Sequence, residues 1–255
     1  MNNGHLKLPE QSKPLVEQLD KLWQFSETGM RGKTFETGGD LRKIILLQIT
    51  AAVSRTIHSA LTQIKGESFY GLDFLLRPIV EGLINYKYIK EDETQMRARA
   101  FIMDDIRTRL ADIRRLIPLL DRGQAPGMAT VTDAGRYRQL ETRLLQEQTD
   151  LNNQYGQENL VLPNIEERAR QSGTSEIYAT VYWLLCQDTH LTARGLDRYM
   201  REDNGQLSVV WDLSLDRFLI TLRTFYIIYI ALLNECSDNF GIPIKKDLAP
   251  FDNIP

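Results

Sequence analysis

The sequence predicts an all-α fold, a helical bundle from which an antiparallel helical hairpin projects. Apolar residues recur every three or four positions in each long segment, and no long run alternates polar and apolar residues as a half-buried strand would. With 255 residues, 42% of them hydrophobic, the chain is long enough to bury a sizeable core. We therefore expect one helical domain over residues 1–255, with residues 92–156 forming the hairpin arm within it.

Three helices are predicted for the amino-terminal part of the chain. Residues 14–27 are amphipathic, with large apolar side chains on one face. A long helix over Leu41–Lys65 follows Asp40, a residue type that favours the N-cap position, and ends at a glycine. The next helix is predicted over Ser68–Lys90, with its first residue as the cap. The last two of these helices are too apolar to lie only at the surface, so we assign them to the core.

The middle of the chain predicts the hairpin. A charged helix starts at Asp92, and its apolar residues form a heptad seam: Met103, Ile106, Leu110, Ile113, Ile117 and Leu120. A loop over residues 121–135 interrupts it, and a weaker seam runs back through Tyr137, Leu140, Leu144 and Leu151. Because the apolar stripe is narrow and the outer face is heavily charged, we expect an arm that projects from the bundle and mediates homodimerisation.

The carboxy-terminal part is predicted to return to the core. Residues 163–171 form a short helix, and the apolar runs Thr174–His190 and Leu213–Asn239 form two core helices. The polar segment over residues 200–214 contains at most a short extended piece. Short links at Gly66 and around Pro163 suit antiparallel neighbours in a bundle.

Composition and charge exclude several classes of protein. A net charge of -3 gives no general attraction to nucleic acid, so RNA binding would depend on a local patch. The two cysteines lie in apolar helical runs, as reduced thiols of a cytoplasmic protein do. The most apolar stretch, residues 218–233, is shorter than the ~20 residues of a membrane span and contains Arg223. We expect a cytoplasmic protein with no signal peptide and no membrane segment.

The helix over Ser68–Lys90 carries the first candidate site residues. Asp73, Arg77, Glu81 and Asn85 recur every four residues and so share one face of an otherwise apolar helix. Pro78 removes a backbone hydrogen bond beside these charges. One interpretation is a solvent edge, with Arg77 and Glu81 as an ordinary surface pair. The other is the wall of a pocket, in which Glu81 orients the Arg77 guanidinium towards an anion.

Three further residues extend the candidate site. His190 ends an apolar helix with Arg194 one turn beyond it, and it acts either as a helix cap or as a catalytic group. Arg223 in the final helix lines the same pocket or neutralises a buried carboxylate. No pair of histidines or cysteines has the spacing of zinc ligands, and the chain has no glycine-rich phosphate loop. We therefore expect no metal and no cofactor.

Two stretches carry a resemblance to a known family. LLRPIVEGLINYKYI and IEERARQSGTSEIYATVYWLLCQDTH, continued by LTARGL, resemble a family of all-helical bacterial proteins of unknown function, over about residues 68–196. The members of that family look similar to helical bundles of the HEPN class, many of which are RNA-cleaving toxins or antiviral effectors. HEPN nucleases place an arginine and a histidine four to six residues apart on one helix. This chain has no such pair, so an equivalent site would have to combine Arg77 and His190 from different helices.

The resemblance implies a metal-independent, RNA-cleaving toxin or antiviral effector. His190 would be its general acid or base, Arg77 would stabilise the phosphoryl charge, and Glu81 would orient Arg77. The first alternative is a non-catalytic sensor or adaptor that binds a small anion or a regulatory partner protein. The second is that the same three residues form a buried structural network. In each case we expect the three side chains to converge, and if they form a pocket, its rim residues are Asp73, Asn85 and Arg194.

Overall fold

The computed structural model describes residues 8–69, 71–123, 134–155, 160–183, 185–186, 200–203, 205–209 and 215–241. The helices in these ranges are α1 (Lys13–Met30), α2 (Leu41–Lys65), α3 (Leu72–Lys90), α4 (Met96–Asp121), α5 (Ala134–Tyr155), α6 (Ile165–Gln171), α7 (Ser175–Ile177) and α8 (Leu215–Phe240). One antiparallel hairpin accompanies them, formed by β1 (Met200–Asp203) and β2 (Gln206–Val209). The predicted all-α fold is confirmed.

The chain divides into two compact units, residues 1–91 with 164–255, and residues 92–163. In the first unit, α3 packs against α2, α6 and α8, and α1 packs against α2 and α8. Aromatic rings of α8 lie at the centre, where Phe225, Tyr226 and Tyr229 are fully buried. Apolar burial on this scale is the main force that holds such a bundle together.

Of the two predicted helix caps, one is confirmed and the other is wrong. The Asp40 carboxylate accepts a hydrogen bond from the Lys43 backbone N–H at 3.3 Å, as expected of an N-cap. Ser68 does not cap the next helix, which starts at Leu72 after Gly71. Gly71 has a φ of 78°, a left-handed conformation that glycine adopts without steric cost. The turn before α3 therefore depends on a glycine that the sequence analysis did not single out.

The second unit contains the helices α4 and α5, which pack against each other. The ion pairs Arg114–Glu141 at 2.8 Å and Arg138–Asp121 at 2.6 Å show that α4 and α5 run antiparallel. The predicted heptad seam supplies their common core, which consists of Ile106, Leu110, Ile113 and Leu144. Two statements about these helices stay predictions. One is that they form an arm projecting from the bundle, and the other is that the arm mediates homodimerisation.

The predicted core helix over Thr174–His190 begins differently in the structure. A single turn, α7, passes into a π-helical turn over Tyr178–Tyr182, closed by a hydrogen bond from the Trp183 N–H to the Tyr178 carbonyl. Residues 187–199 lie outside the described residues, so the end of the predicted helix is not covered. Turns of this type are rare and frequently occur at functional sites.

Two helices of the first unit are long and apolar enough to cross a membrane. They are α2 and α8, and the core helices of soluble proteins pass the same test of length and composition. The most apolar window of α8 is 50% buried within the protein and that of α2 is 39% buried. The absence of a membrane segment and the cytoplasmic location stay predictions.

The helices α2 and α3 pack tightly against each other at Gly82. A Cβ atom at this position would lie 2.5 Å from the Val53 Cγ2 atom and 3.6 Å from the Ile49 Cγ2 atom. Val53 is buried and its branched side chain has little rotational freedom, so it cannot move away easily. The two helices therefore need glycine at this point.

We expect Gly82→Ala to lower the free energy of unfolding by about 1–2 kcal/mol, because overpacking outweighs the better helix propensity of alanine. Urea denaturation of the wild type and the variant measures the change. Val53→Ala removes the atom that the new Cβ meets, so the double variant should lose less stability than the sum of the two single variants. Additive losses would contradict the steric explanation.

Candidate functional site

The Arg77 guanidinium lies against an aromatic ring from the segment that follows α7. Its central carbon is 5.6 Å from the centroid of the Tyr182 ring, within the range of a cation–π interaction. Its Nη2 atom lies 3.5 Å from the Tyr182 hydroxyl oxygen, the long end of hydrogen-bonding distance. Burial lowers the pKa of Arg77, but the contact with Tyr182 and the charge of Glu81 more than offset this, and the pKa is raised. Arg77 stays positively charged at this contact.

Glu81 lies one turn beyond Arg77 on α3 and is partly buried. Burial raises the pKa of the Tyr182 hydroxyl and the negative charge of Glu81 raises it further, against a lowering by Arg77. Tyr182 therefore stays a neutral phenol, able to donate a hydrogen bond. Arg77, Glu81 and Tyr182 therefore influence one another electrostatically and form a group of three polar side chains.

A stack of two tyrosines connects this group to an open cleft. The Tyr178 and Tyr182 rings are 5.5 Å apart at an angle of 26°, held by the π-helical turn. The cleft has a volume of about 400 Å³ and is lined by Glu166, Arg170, Ser175, Tyr178, Ala179 and Trp183. Burial raises the pKa of Tyr178, and the charge of Glu166 raises it further. The cleft and the stack lie in the first unit, and Tyr178 belongs to both, whereas Tyr182 is buried and contacts Arg77.

Asp73 does not lie at the rim of a pocket as predicted. It is buried, and its carboxylate accepts hydrogen bonds from Arg217 Nε at 2.9 Å and from the Thr221 hydroxyl at 2.9 Å. Both partners lie on α8, which covers this end of α3. Pairing of this kind is what a buried carboxylate requires. The role of Asp73 in the structure is to fix α3 to α8.

Asn85, also predicted at the rim, is buried at the other end of the stripe. Its side-chain oxygen accepts a hydrogen bond from Arg168 of α6, which is itself only 8% exposed. α6 packs on α3 here and shields the amide from water. The outer members of the four-residue stripe therefore join helices together, while Arg77 and Glu81 between them are only partly buried.

Of the remaining predicted site residues, Arg223, His190 and Arg194, the structure describes only Arg223. Arg223 is exposed on α8 and not embedded, because it shares an outward-facing stripe with Ile220, which is 63% exposed. Neither of its predicted roles fits that position. His190 and Arg194 lie outside the described residues, and the convergence of His190 with Arg77 and Glu81 stays a prediction. Among the residues that the structure describes, no group of three or more metal-ligating side chains is found.

The aromatic part of the site was not predicted. Tyr178, Tyr182 and Trp183 lie in the run YATVYW, whose apolar character predicts a core helix. Tyr182 is buried, but Trp183 is 43% exposed and lines the cleft. The sequence does contain a signal for an aromatic surface, since two tyrosines lie four residues apart and a tryptophan follows directly. Their spacing does not reveal that an arginine from another helix packs against them.

Comparison with known proteins gives one match. The model of a family described as "Family of unknown function (DUF5677)" matches residues 43–207, more than half of the chain. The matched region includes Arg77, Glu81 and the aromatic run. No curated protein matches the chain, and no solved structure matches it.

Proposed function

We propose that this chain, which belongs to the DUF5677 family of unknown function, cleaves RNA at a site that combines Arg77, Glu81 and His190. The observation that supports the proposal is the contact of Arg77 with Tyr182. This contact joins the charged stripe of α3 to the chain segment that leads, eight residues later, to His190. An arginine and a histidine are the side chains that phosphoester cleavage without a metal requires.

In the proposed reaction, the ribose 2′-oxygen bonds to phosphorus and the bond from phosphorus to the 5′-oxygen breaks. His190 accepts the 2′-hydroxyl proton or, when protonated, delivers a proton to the leaving 5′-oxygen, and water supplies the other transfer. Arg77 stabilises the negative charge that grows on the phosphoryl oxygens. Glu81 and the Tyr182 ring orient the guanidinium. The resemblance to HEPN-class effectors suggests that the activity belongs to a bacterial toxin or antiviral defence protein.

The proposal is tested with the purified full-length chain and a labelled single-stranded RNA in the presence of EDTA. We expect products that end in a 2′,3′-cyclic phosphate, because the 2′-oxygen is the nucleophile. The same sequence as DNA, which lacks this hydroxyl, should remain intact. Failure to cleave RNA, with or without added divalent metal, would contradict the proposal.

A second candidate is favoured by the same group of residues. A permanently charged arginine held against an aromatic ring beside an open cleft is also suited to binding an anionic ligand without chemistry. In that case the chain is a sensor or adaptor, and its signal passes to a regulatory partner protein. Tight binding of RNA or of a small anion with no product in the EDTA assay would favour this candidate.

A further inference from the structure

The open cleft formed by α6, α7 and the π-helical turn has a lining that suits a planar ring. Tyr178 and Trp183 supply aromatic surface, while Glu166 and Arg170 supply one charge of each sign. We infer that this cleft binds one base of a single-stranded RNA next to the nucleotide at Arg77. The inference deepens the proposed RNA-cleaving function, on which it rests, by adding a substrate-positioning subsite.

Stacking is the first physical reason for this assignment. Every nucleobase presents a flat π face, and proteins that bind single strands hold such faces on aromatic side chains. Trp183 has the largest ring in the cleft and is 43% exposed, so a ring can reach it. The base would replace water on this surface and bury apolar area, which favours binding.

The charges of the cleft are the second reason. Arg170 is exposed and carries a positive charge beside the aromatic surface, where a phosphate of the strand would pass. Its Nε and Nη2 atoms both pair with the Glu167 carboxylate, so a phosphate would bind the guanidinium donors that Glu167 leaves open. Glu166 provides an acceptor for the amino group of a base.

The third reason is the size of the cleft and its short distance from Arg77. A cleft of about 400 Å³ is in the lower range of small-molecule sites and holds a single base with its sugar, but it is far too small for a duplex. The stacked rings of Tyr178 and Tyr182 lead from the cleft directly to the Arg77 guanidinium. Two ring contacts, of 5.5 Å and 5.6 Å, separate the cleft residue Tyr178 from Arg77, a span that neighbouring nucleotides of one strand can cover.

The test measures RNA affinity separately from cleavage. The probe is a labelled single-stranded RNA of about eight nucleotides with 2′-O-methyl groups at every position, which keeps the ribose and the bases but has no 2′-hydroxyl to react. We expect Trp183→Ala to weaken binding about tenfold by fluorescence anisotropy, since stacking on one base is lost. Trp183→Phe retains a ring and should recover most of the affinity. Trp23→Phe is the matched control, because Trp23 stacks on His58 and not in the cleft.

Several outcomes would overturn the inference. One is unchanged affinity of the folded Trp183→Ala variant. Another is adenosine monophosphate binding as tightly as the strand, since the ligand would then be a free nucleotide. If the wild type cleaves RNA and Trp183→Ala leaves KM unchanged, the subsite fails while the proposed function stands. If the wild type binds the strand through Trp183 but cleaves no RNA, the proposed function fails and the binding site stands.

Discussion

Replacing Arg77 with alanine is expected to lower kcat for RNA cleavage by about 10²–10³-fold, the usual effect of removing one donor that stabilises a developing oxyanion. Arg77 is only partly buried and its neighbour Tyr182 has the Tyr178 ring as a second contact, so the fold should persist. Arg77→Lys keeps the positive charge but loses the planar guanidinium with its paired N–H donors. Its rate should therefore lie between those of the wild type and Arg77→Ala. Single-turnover cleavage of a labelled RNA measures the rate of the chemical step for the wild type, Arg77→Ala and Arg77→Lys.

The same assay separates catalysis from general electrostatic attraction. Arg55 is an exposed arginine on α2, and Arg55→Ala removes the same charge without touching the Arg77 group. We expect its rate to match the wild type, while His190→Ala should lose about 10²–10⁴-fold. Equal rates for the wild type, Arg77→Ala and His190→Ala would assign the cleavage to a different site. Unfolding of both variants would instead favour the structural network.

Asp73→Ala is expected to lower the free energy of unfolding by about 2–3 kcal/mol. Removing one partner of a fully buried ion pair typically costs more stability than this. The loss is smaller here because the Arg217 side chain is 33% exposed, so water can hydrate part of the charge that is left. The Thr221 hydroxyl also loses its acceptor, which adds to the loss. Urea denaturation followed by circular dichroism measures the change.

Two further variants identify which contact contributes to that loss. Asp73→Asn keeps an acceptor for Thr221 but removes the charge, so its stability should fall between those of the wild type and Asp73→Ala. In the Asp73→Ala and Arg217→Ala double variant no charge is left without its partner, and the combined loss should be smaller than the sum. A loss below about 0.5 kcal/mol for Asp73→Ala, typical of surface positions, would contradict the anchoring role.

The sequence determined the helical class and most helix positions, because the periodicity of apolar residues is a local property of the chain. It placed α2 at its observed residues with Asp40 as the cap, and it identified the seam of α4. Both signals depend on neighbours within one or two helical turns, so they are visible without a tertiary structure. The start of α3 was missed because a left-handed glycine and a polar cap are alternative ways to begin a helix.

The role of each residue in the charged stripe of α3 depends on tertiary contacts. Four residues at equal spacing look alike in the sequence, but α8 covers Asp73, α6 covers Asn85, and an aromatic ring packs on Arg77. The apolar character of the aromatic run predicts a core helix, whereas its π-helical turn presents Trp183 to a cleft. Which polar group is buried, and with which partner, depends on how helices distant in sequence pack together. That packing minimises the cost of burying charge over the whole molecule, so no single segment encodes it.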